Sequence, residues 1–322
     1  MGRNVRGRKM EKIAILTDGK AGHENQSKAF ARALGYDYEL LPVRFKSKFH
    51  KALSYFFDRL GVMAPWLWEF TPQRFEGTAV PAAPAPFKPV AVIGTGSGTF
   101  FPAKSLARGL GVNCGVVLYP RGYSLAGFDC ILAPSFDRPA KSGNVIEIPA
   151  NLVACDEKFY GDGVEEFRRR TSVVPDIAVI VGGPNKCSTM TAEWMKARLD
   201  EIFALPGTRA VTTSRRTPAE VEALIDTYPW DYKLIYSRDR FNPIPAFVKL
   251  AKKLFVTAES TGMLSEACTF GEAEVTALDN LKPGPHKFRR FVENLQSEGY
   301  VGGNRKIDLS AQFARARELM AL

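Results

Sequence analysis

Short apolar runs, each followed by a polar or glycine-bearing loop and then a helix-length stretch, set the strongest limit on what this chain can fold into. A first series falls at residues 12–16, 38–43, 90–93, 115–118, 130–133 and 145–148. A second falls at 177–181, 209–213, 233–236, 254–257 and 274–277. Most lack in/out alternation, as expected of parallel strands buried on both faces. Between them, 191–205 puts Trp194, Met195, Leu199, Ile202 and Phe203 on one helical stripe. Thr217-Pro218-Ala219-Glu220 reads as a capping box with proline at the first helical position. The expected class is α/β, with Rossmann-like, doubly wound sheets.

The 322 residues suit two domains at roughly 150 residues each. Gly161-Asp162-Gly163, the basic Arg168-Arg169-Arg170 and Pro175 place the break near 160–176. That gives an N-terminal domain over 1–165 and a C-terminal domain over 166–322, the last helix being a candidate to pack back on the first. The four prolines of 77–89 read as a surface connection and not an element.

Hydrophobic residues at 45% exclude a wholly disordered chain. No apolar run approaches the ~20 residues of a membrane-spanning helix. The basic start (Arg3, Arg6, Arg8, Lys9, Lys12) leads into too short an apolar run for a signal peptide, and Met10 is an alternative start. Five cysteines without a CxxC, and three scattered histidines, argue against zinc or a disulfide framework and suit a reducing, cytoplasmic setting. The net charge of +10 asks for an anionic partner. Zinc-finger, helix-turn-helix and RNP-type patterns are missing, so nucleic acid is not expected.

Five strand-end loops carry polar chemistry. The first, 17–26, holds Asp18, Gly19, Gly22, His23 and Asn25 at a helix start; His23 suits a general base, or with Asn25 a cap. The second, 94–99, includes Gly96 and Ser97; it is half a dinucleotide fingerprint and reads as a tight turn. In the third, Gly182-Gly183 permits close backbone approach and Lys186 suits phosphate. The fourth sets Ser214, Arg215 and Arg216 before a helix whose dipole is already positive, which favours a bound anion. The fifth, 258–267, presents Ser260, Thr261 and Gly262 at a helix start, with Glu266 one turn on.

These loops resemble those of the GT-B nucleotide-sugar glycosyltransferases. DGKAGHENQ (18–26), the GxGS turn (94–97), TSRRTP (213–218), Asn242-Pro243 and VTAESTGMLSEA (256–267) resemble more closely the mitochondrial-fission Elm family, over most of 11–300. The resemblance implies a GT-B-like fold, with two α/β domains facing across a cleft. It implies that Ser260, Thr261 and Gly262 hold a diphosphate, that Glu266 meets ribose, and that Lys186, Arg215 and Arg216 neutralise the donor. His23 or Asp18 would be the base on the acceptor side. The family takes its name from a factor that recruits fission machinery, so it implies fold more than reaction.

Segment 44–70 interleaves Arg44, Lys46, Lys48, Lys51 and Arg59 with aromatic residues, which on a helix suits an anionic membrane surface or a helix packed on the sheet. The expected function is sugar transfer from a nucleotide-diphosphate donor, with a membrane-associated acceptor in reach and the protein cytoplasmic or peripheral at the inner face of the membrane. No Asp-x-Asp pair is present, so neither metal nor cofactor is expected. The alternatives are a nucleotide-sugar epimerase and a non-catalytic membrane adaptor.

Overall fold

A computed structural model of the chain describes residues 11–71, 74–75, 78–79, 88–154 and 156–322. The basic residues before Glu11, the alternative start Met10, Cys155 and most of 77–89 lie outside them. Two units emerge. Unit 1 comprises Met1–Ile148 with Leu309–Leu322, and unit 2 comprises Pro149–Asp308.

Unit 1 runs β1 (Lys12–Thr17), α1 (Ala21–Leu34), β2 (Asp37–Phe45), α2 (Lys48–Arg59), β3 (Trp68–Phe70), the short pair β4 (Arg74–Phe75) and β5 (Thr78–Ala79), β6 (Ala91–Thr95), α3 (Phe100–Leu110), β7 (Asn113–Val117), β8 (Cys130–Pro134) and β9 (Val145–Ile148). Its seven-stranded sheet has the order β3-β2-β1-β6-β7-β8-β9. All neighbours are parallel except β3, which pairs antiparallel with β2. The central strands are buried end to end, which is why they read as unbroken apolar runs.

Unit 2 runs α4 (Glu157–Arg170), β10 (Ile177–Ile180), α5 (Ala192–Phe203), β11 (Arg209–Thr212), α6 (Ala219–Asp226), β12 (Tyr232–Leu234), α7 (Ile244–Leu250), β13 (Lys253–Thr257), α8 (Thr261–Thr269), β14 (Glu274–Leu278) and α9 (Lys287–Ser297). The sheet is parallel throughout, in the order β12-β11-β10-β13-β14. Met195, Leu199 and Ile202 of α5 are buried against it, with Trp194 and Phe203 at the margin. The last helix, α10 (Ser310–Met320), belongs to unit 1 and packs on α1, β7, β8 and β9. Gly115 of β7 leaves room for Phe30 of α1 and Met320 of α10, which lie 2.9 and 3.2 Å from where its β-carbon would be.

Four local expectations are corrected. The division falls after Ile148, and Gly161-Asp162-Gly163 lies inside α4. A β-carbon at Gly163 would stand 2.6 Å from Pro245 Cβ, so this glycine serves close contact between α4 and α7 and not a linker. Thr217 does not cap α6, which starts from Pro218 without a side-chain cap. Instead its hydroxyl donates to the Gly182 carbonyl at 2.6 Å. The basic-aromatic segment is α-helical only over Lys48–Arg59, makes a short 3-10 turn at Pro65–Leu67 and ends in strand β3. Finally, Thr78–Ala79 pairs with Arg74–Phe75, so 77–89 is not wholly without an element.

Candidate functional site

Open parallel sheets bind ligands past the carboxyl ends of their strands, at the point where successive crossovers diverge. In unit 1 that point lies between β1 and β6, and in unit 2 between β10 and β13. All five polar loops sit at strand ends, and two pairs of them meet at these points.

In unit 1 the β1 loop turns at Gly19, whose φ is +78°, with the Gly19 N–H donating to Thr17 Oγ1 at 3.1 Å. Asp18 then accepts from Lys20 Nζ at 2.6 Å and from the Lys20 backbone N–H at 3.3 Å. His23 Nδ1 stands 3.1 and 3.2 Å from the two Asp18 oxygens. Burial alone would raise the Asp18 pKa; hydrogen bonds from His23 and Lys20 overcome that and hold it at about 2. An ionised carboxylate only accepts, so the proton belongs on Nδ1 and the free lone pair on Nε2. α1 starts from Lys20 without a side-chain cap, so neither His23 nor Asn25 caps it. Asn25 is exposed, and Gly22 has open space where a side chain would stand.

The β6 turn closes on this pair. Gly96 has φ +83°, and a β-carbon there would lie 2.3 Å from His23 Cε1. One at Gly98 would lie 2.8 Å from Asp18 Cβ. Glycine is required at 96 twice over, for the left-handed backbone and for the imidazole beside it. Ser97 Oγ accepts from Lys51 Nζ of α2 at 2.8 Å. Burial lowers the Lys51 pKa, the nearby charge of Lys20 lowers it further, and Asp18 opposes both. Sequence reading assigned Lys51 to a basic surface; its signal as a site residue is long-range and not local.

In unit 2 the β10 loop does not offer its glycine amides freely. The Gly183 N–H donates to Glu259 Oε1 at 2.7 Å, and the Gly182 N–H donates to Thr257 Oγ1 at 2.8 Å. A β-carbon at Gly183 would be 2.2 Å from the Arg216 carbonyl oxygen, so the β10 and β11 loops touch backbone to backbone. Ser214 Oγ accepts from the Arg216 N–H at 3.3 Å and folds the Arg215-Arg216 turn. Arg215, Arg216 and Lys186 are exposed and make no ion pair with the described residues. The Lys186 carbonyl accepts from Lys282 Nζ at 3.2 Å.

α8 starts from Ser260, again without a side-chain cap. Its first-turn N–H groups are therefore open to an anion. Thr261 Oγ1 accepts from Asn151 Nδ2 at 3.1 Å, while Gly262 is exposed in open space. Glu266 accepts from the Tyr160 hydroxyl at 2.9 Å. Burial raises the Glu266 pKa, with Tyr160 pulling the other way. Asn151, Tyr160 and Glu259 were missed from sequence. The first two act across 110 and 106 positions. Glu259 had a local signal, an ionisable residue between a strand's last apolar residue and a helix start.

The fold is GT-B-like, built from two Rossmann-like α/β units. The chain is similar to a putative UDP-N-acetylglucosamine 2-epimerase from Listeria monocytogenes (11% identity, TM-score 0.53, covering 97% of this chain and 88% of that one). It is also similar to UGT89C1 of Arabidopsis thaliana, solved in complex with UDP (9% identity, TM-score 0.50, covering 97% and 91%). No curated protein sequence matches it. By sequence the chain belongs to the mitochondrial fission ELM1 family, whose description matches residues 21–312.

Proposed function

We propose that this protein transfers a sugar from a nucleoside-diphosphate donor, unit 2 binding the donor and unit 1 activating the acceptor. The observation that carries this reading is the Asp18–His23 pair at the divergence point of the unit 1 sheet. An ionised Asp18, held at about 2, is a poor base but a good orienting partner. His23 is accordingly the general base and Asp18 the residue that fixes its tautomer, as in other His–carboxylate pairs.

On the donor side, the Gly183 amide is committed to Glu259, so the open amides at the α8 start are the backbone donors for the diphosphate. Ser260, Thr261 and Gly262 belong to that turn, and Lys186, Arg215 and Arg216 supply unpaired positive charge. Glu266 meets the ribose hydroxyls. In the reaction the acceptor hydroxyl passes its proton to His23 Nε2, and its oxygen bonds to the anomeric carbon. The carbon–oxygen bond to the diphosphate breaks, and its electron pair leaves on the phosphate oxygen, stabilised by the helix start and the cations.

The outer face of α2 supports a membrane-associated acceptor. Phe49, Phe56 and Leu60 share a helical stripe and are 67%, 57% and 60% exposed, beside Trp66 at 51%. The segment's acids do not offset the basic residues there. Asp58 is buried against Lys104 at 2.6 Å, and Glu69 pairs with Arg44 at 2.7 Å. Lys46, Lys48 and Arg59 remain exposed. Apolar rings with cations around them suit an anionic bilayer surface. No helix among the described residues is long and apolar enough to cross a membrane.

The test is release of nucleoside diphosphate from a panel of nucleotide sugars, with membrane extract as acceptor source. The expected result is release by the wild type and its loss in His23→Ala with nucleotide affinity kept. Nucleotide binding without any release would favour the adaptor, and unchanged release by His23→Ala would overturn the role of the pair.

A further inference from the structure

One carboxylate joins three of the strand-end loops of unit 2. Glu259 is 2% exposed, in the loop after β13. Its Oε1 accepts from the Gly183 N–H of the β10 loop at 2.7 Å and from the Thr257 hydroxyl at 3.1 Å. Its Oε2 accepts from Asn280 Nδ2, past the end of β14, at 2.8 Å. The Glu259 backbone carbonyl faces Asn185 Nδ2 at 3.5 Å. Glycine at 182 is a condition of this arrangement, because a β-carbon there would lie 2.1 Å from Glu259 Oε1. The β11 loop is added through the β10 loop: Thr217 donates to the Gly182 carbonyl, and the Arg216 carbonyl abuts Gly183.

We infer that Glu259 is a positioning residue, which sets the Gly182-Gly183 backbone and through it the Arg215-Arg216 turn in place to receive a nucleoside diphosphate. The first half stands on the hydrogen bonds alone, and the second rests on the proposed function. A buried carboxylate beside an anion site is electrostatically adverse, so pure packing would favour an uncharged residue. A carboxylate is suited where three donors must be held at once, Thr257 beside it and Gly183 and Asn280 from the loops after β10 and β14, since bonds to an ionised acceptor are the strong ones. The carboxylate itself stays out of contact with the ligand and acts only through the loops.

Two variants separate reach from charge. Glu259→Asp keeps the charge but is one methylene too short for the Gly183 N–H. Glu259→Gln keeps an acceptor oxygen at the original reach. The readouts are amide hydrogen exchange at Gly183 and titration with uridine, cytidine, guanosine and adenosine diphosphates, both on protein shown to be folded by circular dichroism. Glu259→Asp should speed Gly183 exchange at least tenfold and weaken the best-bound diphosphate about tenfold, the equivalent of one strong hydrogen bond. Glu259→Gln, which keeps the reach and one acceptor oxygen but gives up the charge, should lose measurably in both, though at least threefold less than Glu259→Asp. Wild-type exchange and affinity in Glu259→Asp would overturn the inference, and so would equal losses in the two variants. If the wild type binds none of the four diphosphates, the proposed function fails with the second half. Gly183 exchange still decides the first.

Discussion

Gly96 lies against the imidazole of His23, so close that a β-carbon at position 96 would fall 2.3 Å from Cε1. The β6 turn thereby lies against one side of the ring while Asp18 holds Nδ1, leaving Nε2 without a hydrogen bond to the described residues. Gly96→Ala should displace the ring and strain the backbone, at a cost of about 1–2 kcal/mol in stability. It should lower sugar release about a hundredfold with little change in nucleotide affinity. Denaturant melts and steady-state release assays on one preparation check both.

Asp18→Asn tests the orienting role. Release should fall by about two to four orders of magnitude, the usual range for a disabled general base. A depressed acid stabilises the fold above its unfolded pKa and gives that up as pH falls through its folded one. With Asp18 at about 2 against 3.8, the stability gap between wild type and Asp18→Asn should be level above roughly pH 5 and close towards pH 2. Urea melts across that range measure it.

Glu266 should behave in the opposite sense. Burial raises its pKa, so its contribution is fully present below the unfolded value and is lost as pH rises through the folded one. Glu266→Gln should match the wild type at acid pH, be more stable at pH 7, and bind nucleoside diphosphate about tenfold more weakly. That pattern, stability gained and function lost, marks a residue kept for its ligand.

Phe49 and Trp66 test the outer face of α2. Phe49→Ser with Trp66→Ser should cost little thermal stability, because Phe49 is largely exposed and the half-exposed Trp66 gives up only edge contacts with His50 and Phe57. The pair should reduce flotation with vesicles containing anionic lipid at least fivefold. Raising salt from 0.05 to 0.5 M should weaken wild-type flotation, since Lys46, Lys48 and Arg59 contribute through screened charge. No wild-type flotation at low salt would remove the membrane surface from the account.

What was legible in the sequence follows from how each feature is encoded. Strands such as Ile177–Ile180 are buried on both faces and so appear as apolar runs. β3 escaped because its residues continue an aromatic stretch, and its edge position imposes no such run. The Asp18–His23 pair lies within five positions and was visible as a dense polar loop. Its closure by Gly96, and the tethers from Asn151 to Thr261 and Tyr160 to Glu266, join residues far apart in the chain. Gly161-Asp162-Gly163 misled because glycine serves close helix contact as well as linkers, and only the presence of Pro245 tells the two apart. Glu259 stood in plain view, but a lone acid at a strand end shows its partners only in the fold.

The donor site is the central claim, and calorimetric titration with nucleoside diphosphates tests it most directly. One diphosphate should bind saturably at a single site and, at a hundred times its dissociation constant, add about 2.7 kcal/mol of stability. Arg215→Ala and Glu266→Ala should each weaken it at least tenfold, while His23→Ala should leave it within twofold. Heat and melting curves unmoved by uridine, cytidine, guanosine and adenosine diphosphates alike would contradict the account.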